Sequence, residues 1–361
     1  MELHTHHATL STDADRPGRS ADDGKEYLLP RRISPPARLG IALQALVSPR
    51  AVPQAHRLAT APGNGRFPSP RDLTLSPSPS PVERMRLAWR SSGYLYQLDE
   101  AIARPRLRRC ATIAIVSPKG GVGKTTITAL LGTLFAMLRR DRIVAIDTNP
   151  DFGSLGRALT PEHHTYVDDL LQNLDCPDLT VTALDSRLGR AAHGLMVLPA
   201  PTEPDRMARL DQDAYTRVIR RLQDLVGVVL LDCGTGLQEP AARAALATAD
   251  QIVLVTDAEP AAASLVAEAA QLLHQDTAPM LLAVNKMPSR GARLNVQALA
   301  SHVPWTTGLV TIPPNVKAAS DLARGEFTWT DAPAPWQVAV REMATLLTAV
   351  WPTLGLTLEN A

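Results

Sequence analysis

The chain is short of cysteine, of long apolar runs and of lysine, and each shortage closes off a class of protein. Three cysteines, Cys110, Cys176 and Cys233, stand far apart among 361 residues, with no CxxC spacing. That excludes a disulfide scaffold and reads as isolated thiols in a reducing cytoplasm. The longest apolar stretch, 129–138, is well short of the ~20 residues a helix needs to cross a bilayer, so no transmembrane segment is expected. No basic region followed by an apolar core opens the chain, so no secretory signal is expected either. Lysine supplies only five of the 37 basic residues. In so arginine-biased a chain, the few lysines present need a reason to be lysine.

What is present divides in two. The formal net charge of +1 conceals a basic segment, 1–110, with 17 Lys and Arg against 10 Asp and Glu, and an acidic one, 111–361, with 20 against 26. Such asymmetry is a cue to different partners. Twelve of the 30 prolines fall within 1–81, among Ser, Arg and Gly, and the segment ends in SPSPSP. It cannot bury enough apolar surface to offset its ordering entropy, so 1–81 is expected to be a disordered extension. Its apolar island, 39–47 (LGIALQALV), suits a short docking helix. Residues 82–110 read as a helical arm ending in the basic stretch RPRLRR, and 111–361 as one large α/β domain.

From residue 111, apolar runs of strand length alternate with longer amphipathic stretches. The expected strands are 112–117, 143–147, 194–199, 226–232, 251–256, 279–285 and 308–312. The expected helices include 124–139, 213–225, 239–247, 261–274 and 338–350. The strand runs are nearly continuous in Val, Ile, Leu and Ala, as in strands buried on both faces. This predicts a doubly wound, mostly parallel sheet with ligands at the carboxyl ends of its strands.

The strongest chemical signal is SPKGGVGKTT, 117–126, between an apolar strand and a helix. Phosphate binding needs backbone N–H groups that converge on one point, which glycine permits, above a helix N-terminus. It also needs a lysine for the β- and γ-phosphates and a hydroxyl for Mg²⁺, roles that Lys124 and Thr125 fit. Gly120, Gly121, Val122, Gly123 and Thr126 complete the cradle. The run 226–232 ends in Asp232 and opens DCGTG, a carboxylate that can hold Mg²⁺ beside a mobile glycine pair.

Pro118 stands where the usual phosphate loop has its first glycine, and an extra lysine, Lys119, opens the string as KGGVGKTT. This resembles the deviant Walker A signature of the MinD/ParA family of ATPases, over most of 111–350. The resemblance implies a P-loop NTPase fold, ATP with Mg²⁺, and a nucleotide-sandwich homodimer in which Lys119 reaches the other subunit's phosphates. It makes Asp232 the Walker B acid and Asp147, opening DTNPDFGS, the first switch I aspartate. The family's second aspartate is here Asn149, so Asp151 is the substitute expected to serve hydrolysis. The resemblance also puts Asn285 beside the adenine, with Pro313 and Pro314 on the late loop bordering the base. Pro288 replaces the carboxylate of guanine-specific N-K-x-D relatives, which favours adenine.

Family members use the ATP cycle as a switch for partitioning, division-site placement or positioning of other machines. The implied function is a slowly hydrolysing ATPase switch, cytoplasmic or peripheral at a membrane or nucleoid. The basic extension is expected to meet an acidic partner: protein, DNA or an anionic membrane surface. The helix 338–350 carries only Arg341 and Glu342 as charges and is expected to pack on the sheet rather than on a membrane. A long basic, proline-rich arm ahead of such a domain resembles actinobacterial members, some associated with type VII secretion. Two other readings stay open: a non-hydrolysing ATP-dependent scaffold, suggested by Asn149, and a ParA-like partition ATPase that binds DNA non-specifically.

Overall fold

All seven apolar runs become strands, and their burial explains their composition. In the computed structural model, residues 93–149, 153–174, 179–274 and 278–358 are described. The extension 1–81, its island 39–47, residues 82–92, Asp151 and Cys176 lie outside the described residues. The elements run α1 (Tyr94–Ala103), β1 (Ala111–Ser117), α2 (Lys124–Leu138), β2 (Ile143–Thr148), α3 (Leu155–Leu159), α4 (Val167–Gln172), α5 (Val181–Arg187), β3 (Gly189–Arg190) and β4 (Met196–Leu198). They continue with α6 (Pro204–Met207), α7 (Gln212–Gln223), β5 (Val228–Thr235), α8 (Pro240–Thr248), β6 (Gln251–Thr256), α9 (Pro260–His274) and β7 (Met280–Val284). The last are α10 (Val296–His302), β8 (Gly308–Thr311), α11 (Val316–Ala323) and α12 (Ala334–Ala349).

The sheet order is β3-β4-β2-β5-β1-β6-β7-β8. Every pairing is parallel except β3 with β4, a two-residue antiparallel edge. All residues of β1, β2, β6 and β7 are buried, which is why these strands show no polar alternation. Successive side chains of β1 feed two different cores. Ala114 and Val116 face the layer of α7, α8 and α9, whereas Ala111, Ile113 and Ile115 face that of α2 and α12. Chain order reverses around β1: β5 and β2 lie on one side and β6 and β7 on the other. This is the switch point where α/β sheets take ligands.

Of the boundaries that differ from expectation, two have local reasons. Residues 194–199 shrink to β4, because Ala192–Gly194 forms a 3₁₀ turn with left-handed His193 and Gly194. β5 extends to Thr235, beyond the acid that ends its apolar run. The C-terminal helix α12 packs on the sheet as expected, burying Trp336, Val340, Met343 and Leu347. Its Arg341 and Glu342 are buried as well. Arg341 donates to Asp99 at 2.6 Å and Glu342 accepts from Tyr94 at 3.2 Å, so both charges hold α1. Arg139, buried at the end of α2, donates to the carbonyls of Ile102 (2.7 Å) and Pro105 (2.8 Å), and its guanidinium lies over the Trp351 ring. No helix among the described residues is long and apolar enough to cross a membrane.

Candidate nucleotide site

The phosphate loop leaves the carboxyl end of β1 and enters α2 at Lys124. Gly121 and Gly123 have φ of +72° and +99°, backbone that side chains resist, and each reverses a peptide plane. The loop is thereby bent over the N-terminus of α2, where the helix leaves N–H groups unpaired. Lys124 is buried under it, and burial holds its ammonium below the usual lysine range while Asp232 draws it back up. Gly120 is exposed, Val122 is fully buried and Thr126 half-buried.

Two carboxylates lie side by side beneath the loop. Asp147 of β2 and Asp232 of β5 are direct register partners, 0% and 2% exposed. Burial raises both carboxyls well above the usual range, and for Asp147 the neighbouring Asp232 pushes the same way. Each is held by a different set of donors. Thr125 Oγ1 donates to Asp232 Oδ2 at 2.7 Å, Thr128 Oγ1 lies 3.1 Å from Oδ1, and Lys124 adds its charge. Asp147 accepts the N–H groups of Asn149 (3.0 Å) and Leu155 (3.1 Å), so it ties together the two ends of the loop between β2 and α3. Gly153 sits against that carboxylate so closely that a Cβ would fall inside contact distance. Ser154 Oγ donates to Thr125 Oγ1 at 3.2 Å, joining this segment to the phosphate loop.

On the other side of the loop, Asn285 and Lys286 follow β7. Asn285, 5% exposed, donates from Nδ2 to Val122 O at 2.8 Å. Lys286 Nζ donates to Gly121 O at 2.6 Å. Lys119 is half-exposed at the loop's outer rim, with Nζ 3.6 Å from Asp257 at the end of β6. Pro313 and Pro314 follow β8, joined to the Asn285 segment by the Met287 N–H to Ile312 O bond (2.9 Å). The Pro313 carbonyl accepts from the Trp336 indole at 2.7 Å.

The structure therefore gathers Lys124, Thr125, Asp147 and Asp232 beneath Gly120–Gly123, with Asn285 behind them. It keeps Lys119 apart on the rim. Sequence reasoning passed over four participants. Thr128 had a signal, being one helical turn beyond Lys124. Gly153 and Ser154 sat unnoticed inside the switch I string, and Asp257 had only its place at a strand end.

The CobQ/CobB/MinD/ParA nucleotide binding domain matches residues 113–326. The ESX-1 secretion-associated protein EspI of Mycobacterium tuberculosis (strain ATCC 25618 / H37Rv) is 32% identical over 161 residues, covering 44% of this chain and 24% of EspI. The chain thus spans about a quarter of that relative's length. The septum site-determining protein MinD of Synechocystis sp. is 30% identical over 187 residues, 51% of this chain and 67% of that protein. Among solved structures, MinD of Pyrococcus horikoshii OT3 complexed with Mg-ADP shares the fold. Its TM-score is 0.55 at 19% identity, covering 65% of this chain and 94% of that one.

Proposed function

The chain belongs to the CobQ/CobB/MinD/ParA nucleotide-binding family, and we propose that it is an ATP-driven switch that dimerises on ATP, hydrolyses it slowly and positions or regulates a partner. One observation carries this reading: a buried lysine, a threonine hydroxyl and a buried carboxylate of β5 converge beneath two left-handed glycines at a helix N-terminus. The backbone N–H groups of Gly120–Thr126 and the Lys124 ammonium bind the phosphates. Thr125 and Asp232 offer an all-oxygen donor pair, which fits Mg²⁺. When bound, that ion supplies charge neutralisation to the phosphate oxygens. Lys119, held loosely on the rim, is free to swing to a second subunit's phosphates and oppose the charge that develops there.

Asp147 orients the switch I segment through two backbone bonds. Water activation falls to Asp151, because the amide of Asn149 cannot act as a base. The same Asn149 favours a second reading, a non-hydrolysing ATP-dependent scaffold. ATP turnover of the full chain against Lys124→Ala separates the two: turnover above that variant marks the ATPase, and Asp151→Ala should then abolish it. Lys119→Ala should retain nucleotide but form no ATP-dependent dimers by light scattering. Normal dimers in that variant would sink the trans role.

The partner is the coarser part of the proposal. The relative EspI carries a secretion-associated name, and the basic extension suits an acidic protein, DNA or anionic lipid surface. A ParA-like DNA-binding role would show as turnover that rises with duplex DNA and falls back with salt. The expected place of action is the cytoplasm, at a membrane or nucleoid periphery.

A further inference from the structure

We propose that Asn285 and Lys286 are positioning residues that hold the phosphate loop in its ligand-ready shape by taking the carbonyls of Val122 and Gly121. The inference rests on the nucleotide reading above and assigns this pair to the phosphates rather than the base. A loop that aims consecutive N–H groups inward must turn its carbonyls outward. Those two carbonyls are the ones claimed here, Val122 O by Asn285 Nδ2 (2.8 Å) and Gly121 O by Lys286 Nζ (2.6 Å).

Three further features show that the contact is built. Lys286 has φ +54°, a left-handed conformation that is uncommon for a lysine. Its own N–H donates to Asn285 Oδ1 at 2.9 Å, which occupies the amide oxygen and turns Nδ2 toward the loop. Asn285 packs so tightly beneath Gly123 that a Cβ there would meet Nδ2 at 2.1 Å. The segment is in turn anchored to the sheet, Asn285 N to Thr256 O at 2.7 Å and Met287 N to Ile312 O at 2.9 Å. A rigid path thus runs from β6 and β8 through Asn285 and Lys286 to the loop carbonyls. Pre-ordering the loop lowers the entropy lost when phosphate binds.

Calorimetric titration of the full chain with ADP and with pyrophosphate, both with Mg²⁺, tests this. Lys286→Asn keeps a residue that tolerates left-handed backbone but removes the ammonium. It should raise Kd by about tenfold for both ligands, the effect of one charge-assisted hydrogen bond. The melting temperature of the ligand-free protein should stay within about 2 °C, a small shift on the scale of single substitutions. Lys286→Arg keeps a cationic donor and should retain both affinities within about threefold. Unchanged Kd in Lys286→Asn overturns the proposal, as does a loss confined to ADP, which would mean a base contact. Equal loss in the Asn and Arg variants also overturns it, by removing the ammonium's part. Lys124→Ala separates the two levels. If it binds both ligands like the wild type, the nucleotide reading itself fails. If it loses both while Lys286→Asn binds normally, only the positioning role fails.

Discussion

Thr128 lies outside the glycine-rich string, yet its hydroxyl is 3.1 Å from both Asp232 Oδ1 and the Lys124 carbonyl. Asp232 is almost fully buried, and a buried carboxylate that loses a hydrogen-bonding neighbour bears the full desolvation cost. Thr128→Val keeps the shape and removes only that hydroxyl. It should lower unfolding stability in urea by about 1–3 kcal/mol, the range for a buried acceptor left short. A change below about 0.5 kcal/mol, ordinary for a neutral substitution, would mean that the hydroxyl serves the helix carbonyl alone. Residues of this kind mark the limit of a linear reading. Asp147 and Asp232 were legible because each closes an apolar run, toward the carboxyl end of its strand where the sheet takes ligands. The target of the Asn285 amide was not, since Val122 lies 163 positions away and no periodicity connects them. The left-handed backbone of Lys286 was equally silent, because that conformation is uncommon for a lysine.

At the scale of elements, long buried strands and long amphipathic helices declared themselves, whereas short pieces did not. β3 has two residues and exists only because β4 offers it an edge. α10 and α11, seven and eight residues long, are too brief for a periodic signal. Their start signals were present: Asn295 and Asn315 cap them by accepting from the N–H groups of Ala298 (3.0 Å) and Ala318 (2.9 Å). The junction of β6 and α9 matters more for function. There Asp257 holds Lys119 at 3.6 Å, while its other oxygen accepts from the Glu259 N–H. Lys119 is half-exposed, so the pair is worth little, on the order of 1 kcal/mol at most. It nevertheless competes within one subunit for the lysine proposed to act across the dimer. Asp257→Ala should therefore strengthen ATP-dependent dimerisation by up to about fivefold, the ceiling for so weak a pair, in sedimentation at graded concentrations. Weaker dimerisation would instead make Asp257 part of the dimer contact.

For the whole molecule, the folded domain and the basic extension meet at a boundary that buried side chains define. Charge and proline content suggested a cut at residue 110, but the buried Arg139 argues for an earlier one. Its guanidinium is 2% exposed and depends on the carbonyls of Ile102 and Pro105. Leu98 and Ile102 are buried too, and Asp99 answers Arg341. Removing 1–110 would take Asp99, its paired carboxylate, from Arg341, take two carbonyls from Arg139, which keeps Asp141, and uncover these side chains. A buried charge left unpaired costs about 3–5 kcal/mol. In a domain of this size that corresponds to a melting temperature lower by about 6–20 °C. Removing 1–92 keeps every one of those contacts, so it should lower the melting temperature by less than the 1–110 deletion does. The shorter deletion is therefore the one that can report on the extension, whose 13 Lys and Arg against 8 Asp and Glu give it a basic excess. If the extension brings the switch to an acidic surface, ATP turnover of the full chain should rise with duplex DNA or anionic vesicles. The rise should weaken with salt, as screened contacts do, and vanish in the 1–92 deletion. Stimulation that persists in that deletion would place the contact on the folded domain, and stimulation by neither surface would point to an acidic protein.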